Sequence, residues 1–399
     1  MASRRPPASV PPFDYVLGGV SRFRAEAPWA WRLLIRYARR LPAVRRVEAP
    51  GREPLVVDAA GESPIVLVQA DAESYLTPDA GLRLVSALAA RPDLALLAPV
   101  SNEAHSDAER SAPASPYATP SQLEAEARRR LAAAADAPAA DGAVCGPVYA
   151  VRRSALAGLA ATLALRDAAA AIASRGLPCA VDPAAYVHRY GAMDASARED
   201  LAERVPDGAR AVLDVGCSRG ATAAALRGRG VALIVGVEPD PEDAEAAALA
   251  YDRVVAGRLE DVREDFSGSF DAILFGDVLE HLADPSDALS RVRPWLSARG
   301  VVVASVPNSG HWSVVDDLLR GRFDYVPYSV LSGTHVRLFT RRTLEDLFAA
   351  SGFEVESVDT VALPPHADDA PRFERLRAFP GASEDLAAVE FIAVARSRG

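Results

Sequence analysis

Residues 212–220 read VLDVGCSRG, and residues 233–238 read LIVGVE. Each opens as an apolar run of the length expected for a strand buried on both faces. The first passes through Asp214 into Gly216 and Gly220, and the second ends on Glu238. Between them, ATAAALRGRG (221–230) has the composition of a helix and stops at glycine. Such a strand–helix–strand unit makes parallel strands with a right-handed crossover. Downstream, PEDAEAAALA predicts a helix, RVVAG a short strand, FDAILFGD a strand, SDALSRVRPWL a helix and VVVASV a strand. RTLEDLFAASG predicts a capped helix ending at Gly352, and FEVESVDTV and VEFIAVARS predict two final strands. The pattern predicts an α/β fold with a doubly wound, seven-stranded sheet over residues 193–399.

A doubly wound sheet binds ligands beyond the carboxyl ends of its strands, where strand order reverses. Gly216 permits the tight turn there, and Gly220 lets the next helix come close. Glu238 follows at about the 20-residue offset where a carboxylate meets ribose hydroxyls. Ser218 and Ala221 occupy the other glycine positions of the dinucleotide pattern G-x-G-x-x-G, which argues for a different adenosine ligand. Gly216-Cys217-Ser218-Arg219-Gly220 also fits the G-x-S-x-G elbow of hydrolases. That elbow follows several earlier strands of its sheet, whereas this strand opens its own.

VLDVGCSRG, VGVEPD and FDAILFGDVLEHLADP, in this order and spacing, resemble class I S-adenosylmethionine-dependent methyltransferases over about residues 205–362. The resemblance implies a Rossmann-like sheet with S-adenosyl-L-methionine as cofactor. Asp214, Gly216, Ser218 and Gly220 match the glycine-rich motif, and Glu238 the ribose-binding acid. Gly276, Asp277 and Val278 match the segment that ends the fourth strand, and Leu259 and Glu260 would lie beside the adenine. Ser218 replaces a common glycine, and Arg258 stands where relatives often carry an acid.

Methyl transfer from a sulfonium is an in-line displacement that needs alignment and, for some acceptors, a base. Residues 307–340, PNSGHWSVVDDLLRGRFDYVPYSVLSGTHVRLFT, are dense in polar and aromatic groups and follow the fifth strand. Trp312, Arg322, Tyr325 and Arg337 are candidate acceptor-binding residues, and His311, His335 or Asp277 candidate bases. The run resembles methyltransferases of cell-surface polysaccharide and lipid-quinone pathways. His281, in LEHL, is expected beside the cofactor.

In the first half, residues 66–104 and AYVHRYG (185–191) resemble family 2 glycosyltransferases of the GT-A fold. The resemblance implies a smaller, partial α/β domain over residues 55–192. It places Asp71, Glu73 and His188 at a metal site; as a D-x-E in a turn is usually just solvated, no metal is expected. Residues 1–54 predict a tail, with an amphipathic helix at 24–40 able to lie on an anionic membrane surface.

Composition narrows the functions further. Among 44 Lys and Arg residues every one is arginine, which excludes Schiff-base and Walker-lysine chemistry. A net charge of −10 argues against a nucleic-acid binder. Cys145, Cys179 and Cys217 show no paired spacing, so a reducing cytoplasm is expected, and no apolar run is long enough to span a bilayer. The leading expectation is a methyltransferase acting on a hydroxyl of a sugar or related small molecule in surface-glycan biosynthesis. Two other classes stand beside it: a bifunctional glycosyltransferase–methyltransferase, and a non-catalytic glycan-binding or scaffolding protein. Hydrolysis of sugar nucleotides with manganese would favour the former, and failure to bind cofactor the latter.

Overall fold

A computed structural model describes residues 11–17, 45–48, 63–70, 74–102, 109, 118–133, 140–141, 144, 146–159, 163, 165–189, 197–325 and 329–398. The helix expected at 24–40, Asp71, Glu73 and Cys145 lie outside these residues. The chain divides into two compact units, residues 1–191 with 324–328, and residues 192–323 with 329–399.

The first unit contains β1 (Phe13–Leu17), β2 (Arg45–Glu48), β3 (Ile65–Gln69), β4 (Ser74–Leu76), α1 (Pro78–Ala90), β5 (Leu96–Ser101) and α2 (Pro120–Ala133). It continues with β6 (Ala140–Asp141), β7 (Val148–Arg152), α3 (Arg153–Leu156), α4 (Leu165–Ser174) and β8 (Cys179–Arg189). Its mixed sheet runs β2-β1-β3-β7-β5-β8-β4, with β6 on β8. Alternate residues of β3 face opposite cores, Val66 and Val68 on one side and Ile65 and Leu67 on the other, as the period of a strand covered on both faces requires. The tail expected over residues 1–54 needs correction, because β1 and β2 belong to this sheet. The signal was FDYVL, an aromatic and β-branched run bounded by Pro-Pro and Gly-Gly.

The second unit contains α5 (Glu199–Ala202), β9 (Ala211–Val215), α6 (Ala223–Gly228), β10 (Leu233–Glu238), α7 (Pro241–Ala247), β11 (Arg253–Ala256) and β12 (Phe270–Gly276). It continues with α8 (Pro285–Val292), β13 (Leu296–Pro307), α9 (Trp312–Leu319), α10 (Arg341–Ala350), β14 (Phe353–Ala362), α11 (Ala370–Arg377) and β15 (Ala388–Ser397). The sheet order is β11-β10-β9-β12-β13-β15-β14. β9 to β13 pair in parallel, and β15 runs antiparallel to both neighbours. Phe270, Ile273 and Phe275 of β12 enter one core, while Ala272 and Leu274 enter the other. Thr340 caps α10 through a box with Thr343, and Gly352 follows the helix at φ +83°. Strand order reverses beside β9, so the ends of β9, β10 and β12 converge on one edge.

Candidate active site

β9 delivers the chain into a loop that turns back on itself. Gly216, Ser218 and Gly220 all have positive φ, at 74°, 44° and 84°. Gly216 donates its N–H to the Val237 carbonyl at 2.8 Å, locking the loop to β10. A Cβ on Gly216 would lie 2.5 Å from Val278 Cγ2, so this glycine is dictated by both backbone and neighbour. Glu238 ends β10 with its carboxylate turned to the same loop. It accepts the Ser218 N–H at 2.8 Å and the Asp240 N–H at 2.9 Å. Burial raises its pKa, and the two amide donors work against that rise. Each oxygen keeps a second acceptor position, which suits a vicinal diol. Asp214, in β9 just before the loop, is buried and pushed up to about 6, mainly by burial.

Beyond β11, Leu259 is buried in a short 3-10 turn, while Glu260 is exposed beside Arg258 at 3.6 Å. At the end of β12, Asp277 takes φ 53°, uncommon for a side-chain residue. Ser305 of β13 fixes it, accepting its N–H and donating to Oδ1, both at 3.0 Å. Arg198, just ahead of α5, pairs with Asp277, with Asp200 at 2.9 Å and with Glu390 of β15 at 2.6 Å. Burial opposes the guanidinium charge, but these carboxylates outweigh it and hold Arg198 firmly protonated. Glu390 is pushed up to about 7 by burial and by Asp277. Arg198 also packs on Gly276, where a Cβ would lie 3.7 Å from its Cγ.

The turn after Asp277 carries Glu280 and His281. Glu280 is buried, and neither carboxylate oxygen has a hydrogen-bond partner among the described residues. Burial, with Asp277 nearby, raises its pKa well above the usual range. His335 lies across from it, with Nε2 3.9 Å from Glu280 Oε1. The His281 and His335 rings meet edge to face at 4.9 Å between centroids. His335 Nδ1 faces the Val330 carbonyl at 3.0 Å, and burial lowers the ring's pKa to about 4. Ligand atoms of Glu280, His281 and His335 all lie within 4.8 Å of one another, a spacing that can hold a metal ion.

The acceptor-side candidates separate. His335 stands with the Asp277–Glu280 turn, but His311 does not face open space. It is the N-cap of α9, fully buried, with Nδ1 on Ser313 Oγ at 2.9 Å and Nε2 on the Leu363 carbonyl at 3.2 Å. A ring with both nitrogens engaged is a structural cap, which corrects its candidacy as a base. Trp312 is likewise corrected: at 1 % exposure it is core, edge-on to Phe373. Arg337 is exposed and spends its guanidinium on the carbonyls of Val336 and Ala283. Arg322 is half-buried at the end of α9, and Tyr325 groups with the first unit. In that unit His188 is buried, with Nδ1 on the Tyr186 hydroxyl at 2.9 Å, and burial lowers it to about 4.

The cap assignment makes a prediction. His311→Ala should cost about 2 kcal/mol through the lost cap and two buried hydrogen bonds. The pKa of His311 falls to about 4 on folding, against about 6.5 in an unfolded chain. Its contribution is therefore complete above pH about 6.5 and disappears as pH falls toward 4. His311→Asn keeps a capping oxygen and should flatten the pH dependence of stability, by denaturant titration, by up to one proton in that window.

Sequence reasoning missed Arg198, Ser305, Glu280, Glu390 and Tyr251. The roles of Arg198, Ser305 and Glu390 depend on contacts among β12, β13 and β15, and that of Tyr251 on a contact with Asp214 of β9, none of which a local motif encodes. Glu280 alone had a local signal, an acid beside histidine in LEH directly after the Asp277 segment.

Residues 185–358, less than half of the chain, match a family model described as "Methyltransferase domain". A ubiquinone biosynthesis O-methyltransferase of Neisseria meningitidis is 29% identical over 131 residues, covering 31% of this chain and 54% of that protein. The mitochondrial human protein of the same name is 27% identical over 158 residues, covering 37% and 42%. The chain thus spans about half the length of these curated relatives. Among solved structures, an S-adenosylmethionine-dependent methyltransferase of Mesorhizobium loti is 19% identical with TM-score 0.35, covering 49% of this chain and 95% of that one. One from Archaeoglobus fulgidus is 17% identical with TM-score 0.37, covering 50% and 95%. Most of the residues that match the methyltransferase model lie in the second unit, and the match implies S-adenosylmethionine as the methyl donor.

Proposed function

We propose that this chain transfers the methyl group of S-adenosylmethionine to a hydroxyl oxygen. The observation that carries the reading is the Glu238 carboxylate, turned onto a glycine loop of three positive-φ residues at the switch point of the sheet. In this reading Glu238 takes the ribose diol, and the Gly216–Gly220 backbone passes close to the methionine part. Leu259 and Glu260 flank the adenine, and Gly276, Asp277 and Val278 line the sulfonium side. His335, Glu280 and Asp277 supply the groups that can remove a hydroxyl proton.

The acceptor we favour is a hydroxyl of a sugar or related small molecule, in keeping with the glycosyltransferase-like sequence of the first half. The relatives named for ubiquinone biosynthesis favour a second reading, a phenolic hydroxyl. Transfer of labelled methyl into nucleotide sugars or into catechols separates the two. No helix among the described residues is long and apolar enough to cross a membrane.

The cofactor assignment is tested first. Glu238→Ala removes two charge-assisted hydrogen bonds to the diol and should weaken S-adenosylmethionine by about 2 kcal/mol or more. In calorimetry that is a dissociation constant roughly 30-fold higher. Equal affinity in the two proteins would remove the ribose assignment.

A further inference from the structure

Tyr251 lies between α7 and β11 and is buried. Its hydroxyl donates to Asp214 Oδ2 at 2.6 Å. Its ring lies against Gly220 of the candidate loop and Gly236 of β10. A Cβ on Gly220 would meet ring carbons at 3.1 and 3.2 Å, and a Cβ on Gly236 would meet one at 3.2 Å. One side chain therefore supports the glycine loop from beneath and grips the acid at its start.

S-adenosylmethionine carries two cationic groups near its reacting centre, an ammonium and a sulfonium, against one carboxylate, so its methionine part is net positive. A buried carboxylate beside it helps only while ionised and fixed in direction. The charged and titratable groups facing Asp214 are Tyr251 after α7, Arg198 before α5, Glu238 on β10 and Cys217 in the loop. Burial and Glu238 favour the neutral acid, while Tyr251 and Arg198 favour the anion. Of these, only Tyr251 donates a hydrogen bond to Asp214 through its side chain.

We propose that Tyr251 is a positioning residue for the methyl donor: its hydroxyl holds Asp214 as an oriented anion toward the cationic cofactor while its ring sets the height of the glycine loop. The inference rests on the S-adenosylmethionine site proposed above. It separates the two parts of one side chain, since phenylalanine keeps the prop and loses the grip.

The test is calorimetry of the full chain with S-adenosylmethionine between pH 5.5 and 8.5. Asp214 titrates near 6 in the unliganded wild type, so affinity should fall as pH drops through that value. In Tyr251→Phe the anion loses a hydrogen bond of the charged class, so the midpoint should rise by about one to two pH units. Binding would then be roughly two- to tenfold weaker at pH 7 and recover toward wild type by pH 8.5. Asp214→Asn should bind weakly with no midpoint in this range, and it carries the test if Tyr251→Phe does not fold. A Tyr251→Phe curve that overlays wild type, or runs parallel to it at every pH, overturns the proposal, as does a midpoint that survives in Asp214→Asn. In those outcomes Glu238→Ala still weakens binding and the cofactor reading stands. Absence of binding by wild type at every pH overturns that reading and this inference with it.

Discussion

Gly216→Val should abolish cofactor binding, the largest single effect expected in this protein. Two costs act together. The backbone at Gly216 sits at φ 74°, where a β-branched residue is strained by about 1–3 kcal/mol. Its Cβ would also fall 2.5 Å from Val278 Cγ2, far inside van der Waals contact, so the loop or the turn after β12 must move. Either movement shifts the donors that hold Glu238 and displaces the Asp277 turn. By calorimetry, affinity should drop more than about 100-fold, and the melting temperature should fall by several degrees. Gly216→Ala brings the same strain and the same Cβ contact, and should be milder only because it lacks the two further methyl groups. Cofactor affinity in the valine variant within a few-fold of wild type would mean that the ligand does not approach this loop.

The second large effect concerns turnover. His335→Ala should slow methyl transfer by about 100-fold with cofactor affinity nearly unchanged, the loss typical of a positioned base. Burial keeps this ring neutral down to about pH 4, so the base form is present throughout the neutral range. At saturating S-adenosylmethionine the rate should therefore hold level as pH falls through about 6.5, where an ordinary histidine would protonate, and decline only in stronger acid. Glu280→Gln, which preserves shape and removes the buried acid, tells whether the carboxylate shares the task. Loss of activity to a chelator would instead assign the Glu280–His281–His335 cluster to a metal ion. If neither substitution slows turnover beyond a few-fold, alignment beside Asp277 carries the rate.

The second unit's sheet was legible because its signals are local. Its inner strands β9, β10, β12 and β13 are apolar runs whose alternate residues feed two cores. Glu238 was legible for the same reason: its distance from Gly216 follows from the length of one strand–helix–strand unit. The acceptor side was not. His311 and His335 look alike as letters, yet one caps a helix against the Leu363 carbonyl and the other faces a buried acid. That distinction depends on the path of the chain after β13 and on contacts with residues far along it. Arg198 shows the same limit, because its three carboxylates come from α5, from the turn after β12 and from β15. The first unit hid two strands within a stretch that reads as a tail, since FDYVL is short and its partners, β2 and β3, lie far along the chain.

The placement of β15 has a consequence for how the protein is made. This strand is the last of the described strands in sequence but lies inside the sheet, bonded to β13 on one side and β14 on the other. During synthesis β13, which ends at Pro307, is complete long before β15, which starts at Ala388, leaves the ribosome. Until then β13 offers an open hydrogen-bonding edge and β14 has no partner, a state prone to pairing with other nascent chains. The distant closure also makes the final docking slow relative to the local βαβ units. Arg198 is left without Glu390 for as long, so the charge network behind Asp277 assembles only in that last step.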